Sequence, residues 1–348
     1  MTKLGVIFGG QSSEYSVSLH SVSSMLRKLH ADNYELHLIG INQKGEFYYY
    51  KGTVDNIELD KWNNQEDCIP CAFVKGGIVL LDESLKKIDL DCVFPVVHGK
   101  NAEDGTLQGL LEVNNIKYVG CNTLSSAVCM DKEFTHIVCE NAKIPTAKYV
   151  CIKEKDIITF ADIEELFPLP WIVKPCNAGS SYGVSKVSNK EQFEIAVKEA
   201  FKYDGRGKIL VEEFVVGTEI GCAVLGNKTL IIGSVDQVDT TKELFDFAAK
   251  YQMDQTKIIC PARITRNQFK TAQQMARDTY RALNCRGFAR IDMFALTDGS
   301  VVLNEVNTIP GLTSTSRYPT MMNEVGVDFG DLIDKLISLA IETEIGNS

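Results

Sequence analysis

Two short runs near the carboxyl end carry the densest chemistry in this sequence, Arg290-Ile-Asp292 and Glu305-Val-Asn307. Each closes an apolar run of strand character, and side chains two apart on a strand share a face. Arg290 therefore points with Asp292, and Glu305 with Asn307. Asp292, Glu305 and Asn307 form an all-oxygen set suited to Mg2+, a hard cation usually completed by waters and nucleotide phosphates. Arg290 beside them would hold charge developing on a transferred phosphoryl group or a tetrahedral centre. Taken alone, the same residues also read as an ion cluster at a sheet end, where charges are common.

A place for phosphate is offered by Lys174-Pro-Cys-Asn-Ala-Gly-Ser-Ser-Tyr-Gly183, directly after the apolar run of residues 171–173. Its glycines and paired serines can turn backbone N–H groups toward an anion, and Lys174 adds a point charge. The spacing is neither that of a P-loop nor that of a dinucleotide fingerprint, and a Gly/Ser turn after a strand is by itself an ordinary loop. The stretch NTIPGLTSTS, from Asn307 to Ser316, is polar and turn-forming, so its N–H and hydroxyl groups suit a carboxylate or oxyanion. At the amino end, Gly9-Gly10-Gln-Ser-Ser-Glu14 follows a strand pattern. It would present Glu14 to an ammonium group, or simply place an acid at the positive end of the next helix.

The elements that must hold these segments are legible as periodicity. Strands are expected at residues 3–8, 35–42, 90–97 and 116–119, alternating with helices at 16–29 and 106–114, which reads as α/β with a parallel sheet. A second unit opens near Gly120, with a helix over 125–142, strands at 147–152 and 171–175, a helix at 190–202 and a strand at 209–213. The remainder predicts strands at 219–225, 229–239, 287–295 and 301–306, and helices at 266–282 and 328–344. No internal repeat or long linker separates them, so the units should pack directly on one another.

At 348 residues with 45% hydrophobic and 24% charged residues, the chain has the composition of a soluble protein with two or three lobes and a cleft between them. Its 36 basic and 46 acidic residues leave a formal charge of −10, which argues against nucleic acid and anionic membranes as partners. Phosphate must therefore be held locally. The opening MTKLGVIFGGQSSE has no signal-peptide core and no stretch is long enough to span a bilayer, so a cytoplasmic protein is expected. The 11 cysteines fit that compartment as small reduced hydrophobes. Cys68 and Cys71 form a lone CxxC, which without a second pair carries little information.

Taken together, GGQSSEYSVS, HGKNAEDGTLQG, MDK, KPCNAGSSYG, FDFAAKY, ARIDMF and NEVNTIPGLTSTS resemble, in order and over essentially the whole chain, the D-alanine:D-alanine ligase family. The resemblance implies an ATP-grasp fold of three α/β lobes with ATP between the second and third. The lobes would be a Rossmann-like substrate domain at 1–120, a central lobe at 121–214, and a C-terminal lobe at 215–348 with the metal and substrate site. It implies ATP and two Mg2+ ions, with Mn2+ as a substitute, small amino-acid substrates and a homodimer. By motif matching, Lys132, Lys174 and Ser181 would meet the ATP phosphates and Lys250 would face ATP. Glu212, Glu213 and Val215 would hold adenine, and Glu219 the ribose. Asp292, Glu305 and Asn307 fall on the family's magnesium ligands. Glu14, Ser180 and Tyr251 resemble a set that orients the first D-alanine, His98 a substrate-side residue, and Arg290 with the Gly311 N–H the groups that stabilise the tetrahedral oxyanion. The reaction implied is D-alanyl phosphate formation followed by attack of a second amino acid.

At position 317, after the TSTS turn with Ser316, the sequence departs from the common pattern: arginine stands where housekeeping members usually carry an apolar residue. Arg317 resembles the vancomycin-resistance D-alanine:D-serine ligases of the G and C types, and its donors suit a serine hydroxymethyl. Phe245 and Phe247, where many relatives have tyrosines, alter the same wall. The Lys250-Tyr251 pair argues against the D-lactate-using branch. The expected product is D-Ala-D-Ser, with a housekeeping D-Ala-D-Ala ligase as the alternative.

Overall fold

The computed structural model describes residues 1–240 and 256–342. Phe245, Phe247, Lys250 and Tyr251 lie outside the described residues. Three sheets organise the described residues. The first contains β1 (Thr2–Gly9), β2 (Tyr34–Ile41), β3 (Phe47–Tyr50), β4 (Cys68–Val74), β5 (Gly77–Leu80), β6 (Lys87–Asp89) and β7 (Cys92–Val97), in the order β6-β5-β4-β3-β2-β1-β7. Only β2-β1-β7 is parallel. The expected parallel sheet is thus three strands of a mixed one: the β2–β3, β4–β5 and β5–β6 connections are too short for a crossover and impose antiparallel pairing, while the longer β3–β4 connection carries a helix and also returns antiparallel. Residues 116–119 do not form a strand of their own. They lie along β7 through a single bridge, Val93 to Tyr118.

Helices α1 (Tyr15–Leu26), with its buried residues mostly three or four apart, and α2 (Val54–Glu58) cover one face of this sheet. Helix α3 (Thr106–Val113) packs on the other. The single helix expected over 125–142 is two helices, α4 (Thr123–Met130) and α5 (Lys132–Asn141), broken at an extended Asp131 that caps the second. The Asp131 carboxylate accepts from Phe134 N and from Lys208 Nζ, giving it partners that a continuous helix would not supply. The break puts Lys132 on the first turn of α5.

The second sheet, β10-β9-β11-β8, is antiparallel and is built from β8 (Tyr149–Lys153), β9 (Trp171–Pro175), β10 (Ser185–Val187) and β11 (Lys208–Glu213), with α6 (Phe160–Glu164) and α7 (Lys190–Tyr203) on one face. The third, also antiparallel, runs β14-β13-β12-β15-β16, from β12 (Gly217–Gly226), β13 (Leu230–Thr240), β14 (Thr256–Ile259), β15 (Phe288–Leu296) and β16 (Val301–Asn307). Helix α8 (Arg266–Ala282) lies on one face of it. Helices α9 (Arg317–Asn323) and α10 (Phe329–Glu342) lie on the other.

One core joins Phe8, Leu19 and Phe94 of the first unit to Ala223, Phe288, Tyr318 and Leu336 of the third. The second sheet has its own core around Trp171 and Phe193. The Glu14 loop and the 290–317 segments therefore share one rigid frame, and the Gly/Ser loop reaches them from a separately packed unit.

Candidate active site

Glu14 stands at the start of α1, after β1 ends in two left-handed glycines. Ser180 Oγ donates to its carboxylate from the loop that follows β9. The HGK turn closes the third side: at Gly99 (φ +76°) an added Cβ would stand 2.5 Å from Glu14 Oε2, so only glycine fits. Burial pushes the Glu14 carboxyl above its ordinary range, against the Ser180 hydrogen bond, with the charge of Glu305 adding to the rise. This is a half-buried acid held by a hydroxyl rather than an exposed helix-end acid, and it suits an ammonium partner.

His98 is buried at the end of β7, and its Nδ1 lies 3.1 Å from Ile309 O, so Nδ1 carries the proton. Burial, with Arg290 nearby, lowers the ring to about 4 against the pull of that carbonyl, and the imidazole is neutral. Glu103 in the same turn accepts from Gly99 N at 2.8 Å. Burial and the charge of Glu14 raise it to about 8. The sequence reading passed over Glu103, although it stands inside the HGKNAEDG motif.

The Gly/Ser loop carries two consecutive left-handed serines, Ser180 (φ +51°) and Ser181 (φ +57°), a conformation that costs about 1 kcal/mol or more per residue and turns successive N–H groups the same way. Asp204 ties the loop down: its Oδ1 accepts from Asn177 N and Nδ2, and its Oδ2 from the N–H groups of Arg206 and Lys208. Lys132 Nζ donates to Ala178 O at 2.7 Å from the opposite side, and burial pulls its ammonium below the usual lysine range. Lys174 Nζ is 2.7 Å from Glu212 Oε2, and His136 Nε2 is 2.8 Å from Glu212 Oε1. Both lysines thus converge on the loop's root. Glu213 accepts from Lys148 N, and Val215 follows in the connection to β12.

Arg290 and Asp292 do share a face of β15: Arg290 Nε is 2.8 Å from Oδ1 and Nη2 2.8 Å from Oδ2 of Asp292. Across the ladder Asp292 pairs with Glu305 and Arg290 with Asn307, whose Nδ2 donates to Asp292 Oδ2. Two carboxylates and an amide on adjacent strands, offering oxygen and neither sulfur nor imidazole, fit a hard cation. The 311–316 turn folds around Ser316, whose Oγ accepts from Thr313 N and lies 3.0 Å from where a Cβ on Gly311 would stand.

Arg317 opens α9 and reaches back across the sheet. Its Nε and Nη2 clasp Asp236 at 2.7 and 2.8 Å, Nη1 lies 3.5 Å from Glu219, and Nη2 lies 3.5 Å from Asp292 Oδ1. Asp236, fully buried on β13, was not anticipated. Asp236 lies in the run Ser234-Val-Asp-Gln-Val-Asp239, polar enough that nothing in the sequence marked this aspartate as one buried against a charged partner. Cys68 and Cys71 lie on β4 three residues apart and so on opposite faces, and Cys71 is buried with its thiol pushed up to about 12. That arrangement supports neither chelation nor redox pairing.

Two family models match the chain, D-ala D-ala ligase N-terminus over residues 3–121 and D-ala D-ala ligase C-terminus over residues 138–338. A D-alanine–D-alanine ligase of Acetivibrio thermocellus is 40% identical over 97% of this chain and 95% of its own length. The vancomycin C-type resistance protein VanC1 of Enterococcus gallinarum is 39% identical over 98% of this chain and 99% of its own. The crystal structure of the VanG D-Ala:D-Ser ligase from Enterococcus faecalis matches with a TM-score of 0.90 and 41% identity, over 97% of this chain and 99% of that one. The mixed α/β architecture with three sheets is the ATP-grasp fold of these enzymes.

Proposed function

This chain belongs to the D-alanine–D-alanine ligase family and is an ATP-dependent ligase, and within that family we propose that it joins D-alanine to D-serine through a D-alanyl phosphate. The observation that carries the D-serine reading is the Arg317–Asp236 clasp, 2.7 and 2.8 Å across, beside Arg290 and Asp292. Beyond the Asp236 clasp the guanidinium makes only long contacts, 3.5 Å to Glu219 and 3.5 Å to Asp292, which a closer hydroxyl acceptor would displace, and a wall built to hydrogen-bond a hydroxyl discriminates against the analogue lacking it.

ATP would lie between the lobes of residues 121–214 and 215–348. The N–H groups around Ser180 and Ser181, with Lys132 and Lys174, would hold its phosphates, Glu212 to Val215 the adenine, and Glu219 the ribose. Asp292, Glu305 and Asn307 would hold Mg2+, which when bound neutralises phosphate charge and fixes the γ-phosphoryl for in-line attack. Glu14, with Ser180, would take the ammonium of the first D-alanine and so aim its carboxylate at that phosphoryl. The amine of the second amino acid then attacks the acyl phosphate carbonyl, Arg290 and the Gly311 N–H bear the oxyanion, and phosphate leaves. A precursor ending in D-Ala-D-Ser would weaken glycopeptide binding and confer vancomycin resistance.

A housekeeping D-Ala-D-Ala ligase is the second reading. It is favoured by the comparable identity of D-alanine–D-alanine ligases and by the commitment of two Arg317 nitrogens to Asp236. A product assay with ATP, Mg2+ and equimolar D-alanine and D-serine separates the two. D-Ala-D-Ser in excess is expected, and D-Ala-D-Ala in excess would overturn the D-serine assignment.

A further inference from the structure

Gly221 lies in the interior of β12, where glycine normally weakens a strand by about 0.5–1 kcal/mol and most often marks a close approach of some other group. Its backbone is not among the left-handed positions, so conformation does not require it. Its register explains it. Gly221 pairs with Asp236 on β13 and with Asp292 on β15, so the three residues form one row across the sheet and project to one face. The two flanking carboxylates stand up from that row, and the missing side chain leaves a slot between them.

Arg317 fills the slot. A Cβ built on Gly221 would stand 2.5 Å from Arg317 Nη2, 2.8 Å from Asp236 Oδ1 and 2.9 Å from Asp292 Oδ1. All three distances are shorter than a carbon can approach these atoms. The carboxylates are fixed, since both residues are buried on central strands. The guanidinium is the free end of a long side chain rooted in α9, so it is the group that would yield. We infer that Gly221 is a specificity-determining residue: the bare backbone at this one register seats the Arg317 guanidinium between Asp236 and Asp292, where it faces the incoming amino acid. The inference rests on the D-serine reading and adds to it a residue that need not touch substrate.

The experiment compares wild type, Gly221→Ala, Arg317→Leu and the double variant, by D-Ala-D-Ser to D-Ala-D-Ala ratio at equimolar amino acids and by Tm. Gly221→Ala should lower the ratio about tenfold, and the double variant should match Arg317→Leu alone, because two changes that abolish one interaction do not add. Arg317→Leu leaves Asp236 buried without its counter-ion, and the methyl group of Gly221→Ala still meets Asp236 and Asp292, so every variant should lower Tm and the ratios are read on the soluble, folded fraction.

An unchanged ratio in Gly221→Ala, or ratio effects that multiply in the double variant, would each overturn the inference. Wild-type enzyme that forms mainly D-Ala-D-Ala overturns the D-serine reading together with it. A wild-type preference for D-serine with multiplying effects overturns the role of Gly221 alone.

Discussion

His136 and Glu212 form a buried pair beneath Lys174, with His136 Nε2 2.8 Å from Glu212 Oε1 and Lys174 Nζ 2.7 Å from Oε2 of the same carboxylate. The His136 ring lies against Tyr149 at 4.3 Å between centroids. Burial opposes the charge on Glu212, but Lys174 and His136 outweigh it and hold the carboxyl at about 2. Glu212 therefore stays an acceptor under all working conditions, and its position is set by its two neighbours. Replacing His136 with leucine leaves one carboxylate oxygen without a donor in a dry site, a loss of about 1–3 kcal/mol. Part of that loss should appear as a KM for ATP raised about tenfold, with the KM for D-alanine little changed. His136→Gln, which keeps a donor, should recover most of the affinity. Equal effects of both substitutions on both substrates would assign His136 to packing alone.

Glu103 gives the site a pH dependence of definite sign. Burial and Glu14 hold it protonated to about 8, against an ordinary value of 4.5. Between those values the unfolded chain releases a proton that the native state keeps, so this group makes the fold less stable as pH rises through that window. Glu103→Gln copies the protonated form, and its urea stability measured from about pH 5 to about pH 9 should fall less steeply than that of wild type. The kcat/KM of Glu103→Gln should likewise lose any alkaline limb centred near 8. Parallel stability curves for the two proteins would exclude Glu103 as the titrating group.

If Glu305 belongs to the proposed metal ligands, Glu305→Ala should abolish ATP-dependent phosphate release. Glu305 pairs across the ladder with Asp292, and its removal leaves one carboxylate to share with Arg290. Far-UV circular dichroism should be unchanged, because Glu305 is only half-buried at the end of the strand. Retained phosphate release at saturating Mg2+ would remove Glu305 from the ligand set.

Much of this site was readable because strand periodicity is strict. The pairing of Arg290 with Asp292, and of Glu305 with Asn307, follows from two-residue spacing alone. What periodicity cannot give is register between strands. Asp236, Gly221 and Asp292 come from three strands, and only the ladder that aligns them reveals the slot for Arg317. The antiparallel hairpins from β3 to β6 were missed because strands of three to seven residues carry little alternation. The break at Asp131 was hidden in an unbroken helical pattern, since the tertiary partner that stabilises it, Lys208, lies 77 residues away.

That partner supplies the last prediction. Lys208 is nearly buried, with Nζ 2.7 Å from Asp131 Oδ1, 2.6 Å from Glu133 Oε2 and 4.6 Å from the centre of the Phe134 ring. Two carboxylates flanking Lys132 in sequence are thus neutralised by one ammonium, and this holds the extended residue between α4 and α5. Lys208→Met keeps the stem and removes the charge, leaving Asp131 buried without its counter-ion. Breaking one side of such a pair costs about 3–5 kcal/mol, and Asp131→Asn should return part of it in the Lys208→Met background. Lys132 would lose its fixed start in α5 and with it the hydrogen bond to Ala178 O, so the KM for ATP should rise even where the protein remains folded. Urea unfolding of the single and double variants, followed by ATP titration of the folded fraction, measures both effects. Wild-type stability in Lys208→Met would mean that the turn at Asp131 holds itself.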